Sequence, residues 1–244
     1  MVTGGGSGIG LAASRLFARR GASVVVADVD EPAAASAARA IAEEGGTAEP
    51  FAVDVSDDTG AAAMVAFAVE RFGQLDCAFN NAGVSPGFSA FHDVDPDDFA
   101  RVLAVNLTGV FLCMRHELRV MVEQGDGGAI VNTSSGAGVV AAPGQPHYTA
   151  AKHGVLGLTK VAAAEYAGRG IRVNAVLPGT TDTPMLRRYL ETNPGVEKLI
   201  LRTMPAGRLA RPEEVAEAAV WLCSDAASFV SGESMLVDGA QVAR

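Results

Sequence analysis

Short runs of β-branched and apolar residues alternate with longer alanine-rich stretches along the whole chain. This rhythm restricts the fold more than any other property of the sequence. Strand candidates fall at 23–27, 48–53, 75–80, 129–133, 172–176 and 234–237. Helix candidates fall at 9–20, 31–44, 57–72, 96–124, 148–167 and 212–224. Strands and helices alternating at these lengths build parallel strands joined by crossover helices. Val24-Val25-Val26 is apolar at every position, which fits a sheet covered on both faces. Pro96 followed by Asp97 and Asp98, and Pro212 followed by Glu213 and Glu214, mark helix starts with a fixed φ and acids at the positive end. No linker, low-complexity tract or repeat interrupts the pattern. The expected architecture is α/β: one domain over residues 1–244, a doubly wound parallel sheet with helices on both faces.

Composition narrows the partners. A formal charge of −9 argues against nucleic acid or an anionic membrane surface, since both call for a basic face. No apolar run approaches the roughly 18 residues of a membrane span. The N-terminus lacks a basic start followed by an apolar stretch, so a cytoplasmic protein is expected. Cys77, Cys113 and Cys223 lie far apart in apolar surroundings and read as neutral thiols in a reducing compartment. His92, His116, His147 and His153 form no metal motif, and no metal is expected.

Two features carry chemistry. Thr3-Gly4-Gly5-Gly6-Ser7-Gly8-Ile9-Gly10 stands between a strand end and an alanine-rich helix. Its glycines allow a tight turn and close approach, and the helix start offers free N–H groups to a pyrophosphate. Asp28 closes the next strand about 20 residues on, where a carboxylate can accept from an adenosine ribose and repel a 2′-phosphate. Position 7 is Ser, not a cation, so NAD is expected over NADP. The second feature is Tyr148 and Lys152, four residues apart and on one face if helical. A phenol with a pKa of roughly 10 beside a fixed positive charge is expected to shift toward neutrality. It can then exchange a proton with an alcohol or carbonyl oxygen.

With these motifs the sequence resembles the short-chain dehydrogenase/reductase family over nearly its whole length, which implies a Rossmann-type fold. The Thr3–Gly10 loop is similar to the family's cofactor loop, with Gly4, Ser7, Gly8, Ile9 and Gly10 as cofactor contacts. Asn80-Asn81-Ala82-Gly83 resembles its Asn-Asn-Ala-Gly signature, which places Asn81 beside the adenosine ribose, and Asp54-Val55 falls where the family holds the adenine. Pro178-Gly179 with Thr181 and Thr183 resembles the loop that holds the nicotinamide carboxamide. Asn106, Ser135, Tyr148 and Lys152 match the catalytic set, with Ser134 as the competing serine. The resemblance implies Tyr148 as general acid/base and Lys152 as the group lowering its pKa and bonding the nicotinamide ribose. Ser135 would hold the substrate oxygen, and Asn106, by distorting a long helix, would position a water linked to Lys152.

Two departures stand out. The chain opens at Met1-Val2-Thr3, leaving the first strand shorter than the family's, and the expectation is a natural start upstream of Met1. Ala240 follows Asp238-Gly239 where the family often carries Gly, with little consequence expected. Substrate selection falls to the loop after Gly83 (Pro86, Phe88, Phe91), the turn after Ser135 (Gly136, Ala137, Val139) and segment 184–208. That segment contributes Met185, Leu186, Tyr189, Leu190, Leu199, Leu201 and Met204, while Gln145 and His147 flank the tyrosine. An apolar pocket of this kind suits a hydrophobic or cyclic secondary alcohol or its ketone. Arg187, Arg188 and Arg202 could meet an acidic group. A 3-oxoacyl thioester reductase is the nearest alternative, and a catalytically silent NAD-sensing protein the alternative from another class. The resemblance further implies a homo-oligomer, tetramer or dimer, assembled through segments 96–124 and 148–167.

Overall fold

The structure is a computed structural model that describes residues 1–243. In chain order the strands and helices are β1 (Val2–Thr3), α1 (Gly8–Arg19), β2 (Ser23–Asp28), α2 (Glu31–Glu43), β3 (Thr47–Ala52), α3 (Asp58–Phe72), β4 (Cys77–Asn80) and α4 (Pro96–Leu103). They continue as α5 (Gly109–Gln124), β5 (Gly128–Thr133), α6 (Pro146–Tyr166), β6 (Ile171–Pro178), α7 (Pro184–Thr192), α8 (Val196–Arg202), α9 (Pro212–Cys223) and β7 (Ser234–Val237). All strand pairs are parallel, in the order β3-β2-β1-β4-β5-β6-β7.

The apolar strands sort their side chains by the period of two. Val24 and Val26 enter the core beneath α1, α2 and α9. Val25 and Ala27 enter the core against α3, α5 and α6. Each fully buried valine contributes about 1.5–3 kcal/mol, so both faces of β2 stabilise the sheet. Strand order reverses between β1 and β4, and ligands of such sheets bind at the carboxyl ends beside that point. The loops after β1, β2, β4, β5 and β6 all emerge there.

The structure differs from the sequence expectation in a few elements, each with a cause. A seventh strand exists: Val2 pairs with Val26 and Phe79, and Thr3 with Ala27 and Asn80. Ser23 to Val25 of β2 find ladder partners on the β3 side. Leu75 leaves the ladder because the Gln124 side chain takes both its main-chain groups, at 2.8 and 3.1 Å. The long helix expected over 96–124 is divided by a π-helical turn, Ala104–Thr108, between α4 and α5. Helices α7 and α8 were not anticipated, although Thr183 followed by Pro184 is an N-cap with proline in the first turn. No helix among the described residues is long and apolar enough to cross a membrane.

Candidate active site and cofactor cleft

The glycine loop is shaped by contacts that side chains would destroy. Gly4 and Gly8 have φ of 62° and 52°, and a Cβ on Gly10 would strike the Gly4 carbonyl. Ser7 is the extended N-cap of α1 and makes no side-chain cap bond. The helix itself leaves its first N–H groups without acceptors, so those of Gly8, Ile9 and Gly10 form a cradle suited to a diphosphate. The Ile9 side chain turns away and packs against the core.

The other cofactor candidates border this cradle. Asp28 accepts from Gly6 N at 2.9 Å and Asp30 N at 3.1 Å, which aims the carboxylate at the loop and leaves lone pairs for hydroxyls. Asn81 braces the loop: its N–H bonds Thr3 Oγ1 at 3.0 Å and its amide bonds Thr3 O at 3.2 Å. Asp54 is exposed and accepts from Ser56 N at 2.9 Å and Ser56 Oγ at 2.7 Å. Val55 is buried, with its side chain and carbonyl both against Gly109. Thr181 is buried, with Oγ1 on Gly179 O at 3.0 Å. Thr183 caps α7, and its Cγ2 lies 3.2 Å from where a Cβ on Gly8 would stand. The two loops therefore touch.

Ser135, Tyr148 and Lys152 converge at the ends of β5 and α6. Lys152 Nζ donates to Thr133 O at 2.8 Å and lies 5.6 Å from the Tyr148 ring centroid. Burial lowers the lysine pKa to about 8. The expectation that Lys152 draws the phenol toward neutrality does not hold in the protein alone. Burial raises the Tyr148 pKa, and the opposing influence is a hydrogen bond with Ser135. The lysine charge is directed at Thr133 O and lies 5.6 Å from the ring centroid. Ser134 is committed elsewhere: it is buried and donates to Lys152 O at 2.8 Å. Ser135 is thus the serine that meets the phenol, while Ser134 fixes α6 to the sheet. Asn106, fully buried in the π turn, accepts from Val84 N and donates to Val84 O, both at 2.8 Å. Its amide holds the loop after β4, and any influence on Lys152 passes through the turn's main chain.

A family model described as enoyl-(acyl carrier protein) reductase matches residues 4–240. A 2,5-dichloro-2,5-cyclohexadiene-1,4-diol dehydrogenase of Sphingobium indicum is 45% identical over 239 residues, 98% of this chain and 94% of that protein. The chain belongs to the short-chain dehydrogenase/reductase family. Another member, cis-4-hydroxycyclohexanecarboxylate dehydrogenase of Sinomonas cyclohexanicum, is 46% identical over 243 residues, all of this chain and 96% of that one. The crystal structure of a levodione reductase superposes with a TM-score of 0.94 at 36% identity, over 99% of this chain and 96% of that one. Members of this oxidoreductase family act on CH–OH groups with nicotinamide cofactors.

Elsewhere in this short-chain dehydrogenase, three segments meet at one ring. Phe88, after β4, lies 5.7 Å from the Tyr189 ring of α7 in a tilted pair. Phe88 Cδ1 is 3.1 Å from where a Cβ on Gly144 would stand, and Ser89 N bonds Gly144 O at 3.0 Å. Val139 and Met185 are exposed apolar groups, whereas Met204 is buried. Arg187 is paired to Asp182 at 2.7 and 2.8 Å and is not available as an anion receptor. His147 flanks the tyrosine as expected, its Nδ1 accepting from Tyr148 N at 3.0 Å, but it is buried with Nε2 turned toward Asp98 of α4. Sequence reasoning also missed Thr133 O, Val84 and Asp98 as partners, because main-chain acceptors and tertiary neighbours leave no mark in a motif.

Proposed function

We propose that this protein is an NAD-dependent dehydrogenase that oxidises secondary alcohols carried on a ring and reduces the matching ketones. One arrangement supports this above all: Ser135 near enough to the Tyr148 phenol to oppose its upward shift, with Lys152 Nζ 5.6 Å from the ring centroid. The apolar groups Phe88, Tyr189 and Met185 suit a compact ring, and the names of the relatives above, one a cyclohexadiene diol dehydrogenase and one a hydroxycyclohexanecarboxylate dehydrogenase, point the same way.

Each residue has a role in that chemistry. Tyr148 takes the proton of the alcohol during oxidation and returns it during reduction. Ser135 holds the same substrate oxygen and stabilises charge developing on it. Lys152, with a pKa of about 8, is mostly protonated near neutrality and supplies positive charge beside the phenol. The π turn around Asn106 would hold a water in contact with Lys152. The residues present fit a dinucleotide. The N–H groups of the loop Gly4–Gly10 would hold the diphosphate, Asp28 and Asn81 the adenosine ribose, and Asp54 and Val55 the adenine. Lys152 and Tyr148 would hold the nicotinamide ribose, and Thr181 and Thr183 the carboxamide. When bound, the oxidised nicotinamide supplies the hydride acceptor and a second positive charge near the phenol. Asp28 and the absence of a cation at Ser7 favour NAD over NADP.

A 3-oxoacyl thioester reductase would recruit an acidic carrier, which a chain of net charge −9 repels. Free thiols at Cys77, Cys113 and Cys223 suit a cytoplasmic enzyme. A second copy of the chain, in a dimer or tetramer, would cover exposed Phe111 of α5 and Val161 of α6.

The test is a panel of cyclohexanol, cyclohexanediols and open-chain alcohols with NAD⁺ or NADP⁺, followed by reduced-nicotinamide absorbance. Turnover is expected with the ring alcohols and NAD⁺; a preference for open-chain alcohols or for NADP⁺ would refute the respective assignment. Tyr148→Phe is expected to lower kcat about 10²–10⁴-fold with NADH binding retained in a fluorescence titration. Substantial turnover in that variant would remove Tyr148 from proton transfer.

A further inference from the structure

We propose that His147 and Asp98 form a latch that fixes where the Tyr148 phenol stands, making His147 a positioning residue for proton transfer. Tyr148 lies in the first turn of α6, where its N–H has no intrahelical acceptor. The N-cap residue, Gln145, provides no side-chain cap. The His147 ring does so instead: its Nδ1 accepts the Tyr148 N–H at 3.0 Å. A nitrogen that accepts cannot carry the proton, so the ring proton sits on Nε2. That nitrogen lies 3.3 Å from Asp98 Oδ2 on α4, and Asp98 is itself held by Arg101. Only 1% of His147 is exposed, so its polar atoms have no solvent to replace these partners.

The latch connects more than two helices. From Asp98 the chain runs through α4 into the π turn, whose Asn106 grips Val84 of the loop after β4. The main chain of Tyr148 is therefore tied to α4, and α4 to the loop bearing Phe88. At its other side α6 is tied to β5 by Ser134 and Lys152. Lys152 and Ser135 keep their places through these β5 bonds, while the placement of Tyr148 relative to them depends on the latch.

The proposal rests on Tyr148 as the proton-transfer group, and its test separates the two ideas. The charged or titratable groups around this turn are Lys152 on α6, and Asp98 and Arg101 reaching from α4; His153 bonds back to Thr149 O on the exposed side. In the complex with the oxidised nicotinamide, whose charge would add to that of Lys152, a phenol displaced from both and from Ser135 ionises at higher pH. In His147→Leu, which loses the Nδ1 bond and the Asp98 contact, kcat is expected to fall about 10–100-fold with NADH affinity unchanged. The rising limb of its kcat–pH profile should move up by about one unit. Asp98→Leu keeps the ring in place and should move the limb in the same direction by less, while Asp98→Asn, which still accepts from Nε2, should behave like the unmodified protein. Rates are normalised to sites titrated with NADH, so a loss of folded protein scales the curve without moving it. Profiles of both leucine variants that superpose on the unmodified one overturn the latch, and Asp98→Leu alone decides if His147→Leu does not fold. Should Tyr148→Phe retain turnover, the fault lies in the role given to Tyr148 and not in the latch.

Discussion

The cleft has one wall around the glycine loop and another around Phe88 and Tyr189, and the two are held by different means. On the first, main chain meets main chain or a short polar side chain. Gly10 lies against the Gly4 carbonyl, Asp28 bonds Gly6 N, and Asn81 braces Thr3. On the second, side chains meet each other, an aromatic pair at 5.7 Å that includes the exposed ring of Phe88. A wall of backbone tolerates almost no substitution and recognises a constant ligand. A wall of exposed side chains can change its ligand without disturbing the fold.

Substitutions can break that contrast. Gly10→Ala drives a methyl group into a carbonyl, and a loss of about 3 kcal/mol or more is expected, with NADH affinity collapsing alongside; thermal unfolding and fluorescence titration read both. An alanine variant with unchanged unfolding and affinity would show that the loop yields. Beneath both walls, Glu117 is buried between Asn80, at 2.9 Å, and the core, with Oε1 unpartnered. Burial raises its pKa from 4.5 to about 7. The folded protein therefore holds a proton there that the unfolded chain has released, so stability falls as pH rises from about 4.5 to 7. Glu117→Gln should stabilise by up to roughly 3 kcal/mol above pH 7, with the gain shrinking toward pH 5. Denaturant melts at several pH values that show a constant difference would contradict this.

The substrate wall should respond in the opposite way. Phe88→Ala is expected to raise KM for a ring alcohol about tenfold while leaving the unfolding temperature and NADH affinity nearly unchanged. A large loss of stability would mean that the aromatic pair is part of the scaffold. The smallest effect belongs to Ala240, which has φ of 69° and is the sole non-glycine with positive φ among the described residues. The expectation of little consequence there needs correcting, because a Cβ in that region costs about 1 kcal/mol. Ala240→Gly should return about that amount in a denaturant melt, with kinetics unaltered.

The same contrast governs what could be read from sequence. Gly4, Gly8, Gly10 and Asp28 were legible because each answers a local steric or electrostatic demand, and Tyr148 and Lys152 because helical spacing puts them on one face. Apolar runs made the sheet and its two-sided cover legible too. Hidden were the contacts joining distant segments. The sequence put Cys77 and Cys223 far apart, yet Cys77 Sγ lies 3.7 Å from Cys223 O. Tyr148 and Lys152 were visible as neighbours, but their burial was not, and burial reverses the expected shift of the phenol. His147 read as a pocket residue because its direction depends on α4, nearly fifty residues earlier in the chain.

For anyone redesigning this enzyme, Thr183 marks a border. Its methyl group rests against Gly8, so the first residue of the substrate arm is also a piece of the cofactor loop. Libraries that begin at Met185 can vary freely, since Met185 is exposed and Arg187 binds only its own neighbour Asp182. One placed two residues earlier would disturb the cofactor loop proposed above, because every larger side chain at Thr183 would press on the turn at Gly8.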